Sequence, residues 1–171
     1  MKKILGVALL ICAGILIFWF VSGNKEISQV SEVDYKDISY SIQGTPTMLV
    51  KSQSGTVTAP GSTITQYFGN EVAGDVNEDG LPDIAFLITQ SGSGTGTFYY
   101  AVVALKTAQG YSGSNGVFLG DRIAPQTIEI KDGQIIVNYA DRKAGEPMTT
   151  NPSVGVSKYL EMIGGVLVEI R

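Results

Sequence analysis

Residues 84–105 read IAFLITQSGSGTGTFYYAVVAL. The first five, 84–88, are apolar without a break, the pattern of a strand buried on both faces. The last nine, 97–105, are rich in aromatic and β-branched side chains, which favour a pleated, half-buried surface. Between them lies SGSGTG, residues 91–96, whose glycines permit positive φ and a flexible connection. The spacing predicts a central antiparallel hairpin, with 84–90 paired to 97–105.

The same alphabet continues on either side. Residues 37–42 alternate apolar and polar side chains with period two. A strand at 47–50 is expected after a Gly-Thr-Pro turn, and 56–58 and 63–68 flank a Pro60-Gly61 turn signal. Downstream, 127–131 and 134–139 are separated by Asp132-Gly133, a strong signal for a type I′ hairpin. Residues 154–162 and 166–170 flank Gly164-Gly165 in the same way. No helical period recurs beyond the N-terminal segment. The expectation is mainly β: ten or so strands over 35–171, forming a single antiparallel β-sandwich or barrel-like domain.

The N-terminal segment has another character. Residues 4–21, ILGVALLICAGILIFWFV, contain no charge, enough for a transmembrane signal-anchor helix with slight bilayer thinning. Trp19 and Phe20 suit its outer interface, and Lys2 and Lys3 place residues 1–3 in the cytoplasm. Residues 22–34 are polar and aperiodic and read as a stalk. The expected location is the cytoplasmic membrane, single-pass, with the lipid bilayer as partner of 4–21 and the C-terminal domain outside. The alternative is a cleaved signal peptide, which would make the protein exported. Such peptides have a shorter apolar region, and Val21-Ser22-Gly23 is a passable cleavage site. Leu9-Leu10-Ile11 lacks the small residue that precedes a lipidated cysteine, so Cys12 reads as an apolar helix residue.

Composition removes several chemistries. There is no histidine, and Cys12 is the one cysteine. The exported part can use no disulfide, no thiolate metal site and no Ser-His or Cys-His nucleophile. The formal net charge is −4, and beyond Lys2 and Lys3 ten basic residues face sixteen acidic ones. Nucleic-acid binding needs a basic face, which is missing.

Residues 74–83, GDVNEDGLPD, carry the one dense group of oxygen ligands. Asp75, Asn77 and Asp79 are spaced by two, Gly80 allows a sharp turn, the Leu81 carbonyl adds an oxygen and Asp83 closes the set. A hard cation such as Ca2+ takes about 6–8 oxygens, and water can complete them. Without a cation, clustered carboxylates repel one another. D-x-N-x-D-G-x-x-D resembles the calcium loops of FG-GAP/VCBS β-propeller repeats and of thrombospondin type 3 repeats, and shares its first half with dockerin and EF-hand loops. That resemblance implies Asp75, Asn77, Asp79 and Asp83 as side-chain ligands and Leu81 as a backbone ligand of one structural Ca2+. The twelfth position, where an EF-hand has a bidentate Glu, is Phe86, and no second copy of the motif occurs. More widely, YFGNEVAGDVNEDGLPDIAFL, GTFYYAVVAL, FLGDRIAPQTIEI and VNYADRKAGEPMTT resemble a family of small, membrane-anchored or exported bacterial β-rich proteins. That similarity spans roughly 36–160, implies fold and location, and carries no catalytic residues.

Asp121-Arg122, Asp141-Arg142 and Glu146 read as surface ion pairs at strand ends; Asp121, Asp141 and Glu146 are also the candidate carboxylates of an envelope hydrolase. Ser22 to Lys25 matches S-x-x-K without the companion motifs. Tyr99, Tyr100, Tyr111, Tyr139 and Tyr159 could form a sugar- or peptide-binding platform, though strand tyrosines are more often core. Residues 148–153 form a polar loop stiffened by Pro147 and Pro152. The expected function is a non-enzymatic, membrane-anchored, extracytoplasmic calcium-binding β domain. It would serve as a cell-envelope binding or structural module, with an envelope protein or glycan as partner.

Overall fold

The computed structural model describes residues 34–49 and 63–171. The anchor at 4–21, nearly all of the stalk and the strand expected at 56–58 lie outside the described residues. Among those described, no helix is long and apolar enough to cross a membrane.

The central hairpin forms as expected. β4 (Asp83–Ser91) pairs with β5 (Thr97–Thr107) from Ile84 opposite Ala104 to Ser91 opposite Thr97. Strand side chains alternate faces, so the unbroken apolar run is split between two cores. Ala85, Leu87, Ala101 and Val103 enter one, and Phe86, Ile88, Tyr100, Val102 and Ala104 the other. Fully burying a large apolar side chain contributes about 1.5–3 kcal/mol. A strand pair buried on both faces therefore anchors the whole domain.

Nine further strands complete the described fold: β1 (Ser39–Ile42), β2 (Thr45–Met48), β3 (Ile64–Gly74), β6 (Gly110–Gly113), β7 (Val117–Asp121), β8 (Ala124–Lys131), β9 (Gln134–Asp141), β10 (Val154–Ile163) and β11 (Val166–Glu169). One sheet has the order β3-β4-β5-β6, with β7 continuing alongside β5; the other runs β11-β10-β9-β8. All strand pairings within these two sheets are antiparallel. The sheets pack face to face over Leu87, Val103, Ile135, Val137, Leu160 and Leu167. The β1-β2 ribbon covers the opposite face of the first sheet, seating Tyr40 and Ile42 against Phe86 and Val102. The fold is thus mainly β and sandwich-like, with an added outer layer.

Two asparagines stitch the seams between the main sheets. Asn70, at φ 53° beside the bulges of β3, donates from Nδ2 to the Gln126 carbonyl at 3.0 Å. Asn115 donates to the Leu167 carbonyl and accepts from the Leu167 N–H, both at 2.8 Å. Its side-chain amide makes the bond pair that a neighbouring strand would make, and so caps the edge of β11.

The turns at Asp132-Gly133 (φ 52° and 75°) and Gly164-Gly165 (58° and 82°) are two-residue turns with both φ positive, as expected for type I′. Two strand readings need correction. The first hairpin turns at Gln43-Gly44 (φ 51° and 78°), so β2 is Thr45–Met48 and not 47–50. Pro46 is tolerated there because β2 is an edge strand. The alternation starting at 37 yields a strand only from Ser39, because Tyr35–Asp37 forms a 3₁₀ turn capped by the Asp34 side chain. β6 and β7 form in a Gly/Ser-rich stretch for which the sequence offered no strand reading. A Cβ on Gly113 would lie 2.3 Å from the Ser39 carbonyl oxygen, so glycine is required where β1 crosses close to β6. The Ser41 N–H donates to the Ser114 carbonyl, and the Gly116 N–H to the Ser41 carbonyl.

Candidate cation-binding loop

Gly74 and Asp83 are register partners at the end of β3 and the start of β4, so residues 75–82 span two adjacent strands. Val76, 4% exposed, points into the inter-sheet core and pins the loop. Glu78 and Gly80 take positive φ, 62° and 83°, and bend the chain back. Nothing crowds Gly80, so backbone conformation rather than space accounts for glycine there.

The polar side chains brace the loop's own backbone. Asp75 Oδ2 accepts from the Gly80 N–H at 2.8 Å. Asn77 Oδ1 accepts from the Asp79 N–H at 3.1 Å, and Asp79 Oδ1 from the Leu81 N–H at 2.8 Å. Asn77 Nδ2 donates to Asp79 Oδ2 at 3.0 Å. Asp83 lies beneath, fully buried, accepting from the Val76 N–H at 3.1 Å and the Lys106 N–H at 2.8 Å. Burial pushes the Asp83 carboxyl upward and the two N–H groups oppose this. The charges of Asp79 and Asp75 add to the rise, which leaves its pKa raised. Asp75 Oδ1 is buried with no hydrogen-bond partner. Native buried polar atoms are rarely left so, at a cost of about 1–3 kcal/mol.

All five expected donors therefore share one loop, with Asp75, Asp79 and Asp83 close enough for their charges to interact. Among the described residues no group of three or more His, Cys, Asp or Glu side chains forms a metal-holding cluster. One oxygen each of Asp75 and Asp79 and both of Asp83 are turned onto backbone N–H groups, and two of the expected donors are an amide and a carbonyl. An acidic cleft of ≈ 330 Å³ adjoins the loop, lined by Asn77, Glu78, Asp132 and Glu161.

The Asp121, Asp141 and Glu146 loops are built differently. Asp121 takes a two-point ion pair from Arg122, at 3.1 and 3.0 Å, and the Thr97 N–H at 2.9 Å. Burial pushes its carboxyl up, but the Arg122 bond and the Thr97 N–H outweigh it and hold the pKa below the ordinary value. A general acid needs the opposite shift. Asp141 accepts from the Arg142 N–H and Glu146 from the Lys143 N–H. Arg142 donates to the carbonyls of Thr150 (2.6 Å) and Arg122 (3.0 Å), tying loop 142–153 to the β7-β8 corner.

The five tyrosines do not gather on one surface. Tyr100 and Tyr139 are each 2% exposed, in different cores, and Tyr139 donates to the Leu119 carbonyl. Tyr111 stacks edge-on with Tyr35, and the Arg171 guanidinium lies over Tyr159. The exposed aromatic surface is phenylalanine instead, with Phe98 and Phe118 40% and 47% exposed. Neither these rings nor the seam asparagines stand out in the sequence, because no local pattern marks a side chain that acts across sheets. No protein-family model, curated protein or solved structure matches this chain.

Proposed function

We propose that this chain is a non-enzymatic, membrane-anchored, extracytoplasmic β domain with one structural Ca2+ in loop 75–83, acting as a cell-envelope binding or structural module. The observation that carries the calcium reading is the buried, partnerless Asp75 Oδ1. Its sister oxygen braces Gly80, so the carboxylate is held with one oxygen committed and one open. Asp75, Asn77, Asp79, the Leu81 carbonyl and Asp83 are the oxygens that would hold the ion. A divalent charge would offset the repulsion already felt at Asp83. Oxygen-only donors suit a hard cation. The anchor at 4–21, the bilayer contact and the resemblance to exported bacterial β-rich proteins rest on the sequence.

The test is a thermal melt of the full chain in detergent, in Ca2+, in Mg2+ and in excess chelator. Ca2+ alone raises Tm, as linkage requires of an ion bound to the folded state, and Asp79→Ala abolishes the rise. Equal melting in all three solutions rejects the calcium site. The mass of the mature N-terminus separates a retained anchor from a cleaved signal peptide.

A further inference from the structure

The β1-β2 ribbon has strands of four residues, while β4 and β5 have nine and eleven. Among the described residues it therefore covers only part of the outer face of the sheet. Beyond its Gln43-Gly44 turn that face continues, with Gln90 opposite Phe98 on β4 and β5 and Phe118 on β7 beside them. The result is a shallow groove of two neighbouring hollows that share Gln90 and Phe98. One, ≈ 280 Å³, is lined by Gln43, Gln90, Phe98, Tyr100 and Phe118. The other, ≈ 270 Å³, shares Gln90 and Phe98 and runs along the Ser-Gly loop after β4.

We infer that this groove binds a neutral saccharide chain, with the Phe98 and Phe118 rings as stacking platforms and the Gln43 and Gln90 amides as hydroxyl-reading groups. Four observations support it. The two rings are exposed although a sheet face normally buries such side chains, and contiguous exposed apolar surface marks interaction sites. They are tilted at 49° with centroids 6.4 Å apart, so the two rings are not stacked flat on each other. An aromatic face is electron-rich and attracts the C–H face of a pyranose.

Polar groups converge on the same floor. Gln43 Nε2 donates to the Tyr100 hydroxyl at 3.1 Å, which leaves that hydroxyl its own hydrogen to donate. Gln90 Nε2 donates to the Thr65 hydroxyl at 3.2 Å. A side-chain amide has two donor and two acceptor positions, so each retains capacity beyond that bond. Among the described residues, neither hollow is lined by a charged side chain. Asp121, beneath Gly96, is paired with Arg122. A floor of rings, amides and hydroxyls without charge matches a ligand with an apolar face and many neutral hydroxyls.

The groove is independent of the calcium loop. Gln90 lies seven residues along β4 from Asp83, about 23 Å at the usual strand rise. It gives a ligand class to the envelope-binding part of the proposed function and needs no ion. The test is calorimetric titration of the full chain in a zwitterionic detergent with no sugar headgroup, in excess chelator. The probes are chitotetraose, cellotetraose, maltotetraose and a proline-rich decapeptide. Saturable binding of at least one tetrasaccharide, weakened about tenfold or more in Phe98→Ala and Phe118→Ala, supports the inference. Gln43→Ala, at an exposed turn, gives a second loss that does not depend on the rings. Silence from all three sugars, binding unchanged in the variants, or binding of the peptide alone overturns it. Loss of the calcium response leaves these outcomes untouched.

Discussion

Loop 75–83 and the corner formed by Asp121, Arg122 and Arg142 are both charged turns at strand ends, yet their bonding is opposite in kind. At the corner every carboxylate oxygen described has a cationic or N–H partner, and Arg142 reaches outward to the carbonyls of Thr150 and Arg122. The Asp121 charge is answered within the protein. In the loop, among the described residues, no arginine or lysine side chain is bonded to Asp75, Asp79 or Asp83. Backbone N–H groups take some oxygens, Asp75 Oδ1 takes none, and the carboxylates push on one another. A corner that is complete by itself locks a fold. A loop left short of positive charge suits an added cation.

The comparison breaks or sharpens through three further measurements. The largest effect is expected at Asp83. Asp83→Ala strands the buried Val76 and Lys106 N–H groups and lowers stability by about 3 kcal/mol in urea unfolding. A loss under about 1 kcal/mol would mean that water replaces the carboxylate and that the loop is not braced from below. Next, Arg142→Ala frees the carbonyls of Asp121, Arg122 and Thr150, and costs about 2 kcal/mol. Hydrogen exchange should speed up in 143–152, while the calcium-induced rise in Tm stays intact. If that rise disappears as well, the two regions are coupled and the contrast between them fails.

The smallest effect is the acid limb of the corner. Because the folded pKa of Asp121 lies below its ordinary value, its ionised form contributes stability above the unfolded value of about 3.9. That contribution disappears as pH falls through the lower folded value. Arg122→Gln removes the pairing and should flatten stability against pH in this window. An exposed pair is worth about 0–1 kcal/mol, so the change is small. An unaltered acid limb would assign the depression to the Thr97 N–H instead.

The central hairpin was legible because its cause is local. An apolar run such as 84–88 has no polar face to present to water, so both faces of the strand must be covered. The Asp132-Gly133 and Gly164-Gly165 hairpins were legible because the turn residues themselves hold positive φ. Residues 110–121, where β6 and β7 form, carried no strand signal for a non-local reason. Their glycines serve close approach, Gly113 to the Ser39 carbonyl and Gly116 to the Ile42 side chain, and no local pattern separates that use from a loop.

The candidate loop divides in the same way. Spacing in the sequence named Asp75, Asn77, Asp79 and Asp83 as one group, because short-range geometry can only bring them together. Tertiary structure alone decided that Asp83 would be buried between Val76 and Lys106, and that one oxygen of Asp75 would be sealed without a partner. It likewise decided where Asn115 would meet β11 and which phenylalanines would remain uncovered. Strand period and turn chemistry are properties of a few consecutive residues, so the sequence by itself determined the β class and three of its hairpins. Seams, buried charges and open grooves depend on segments tens of residues apart that meet only when the sheets pack.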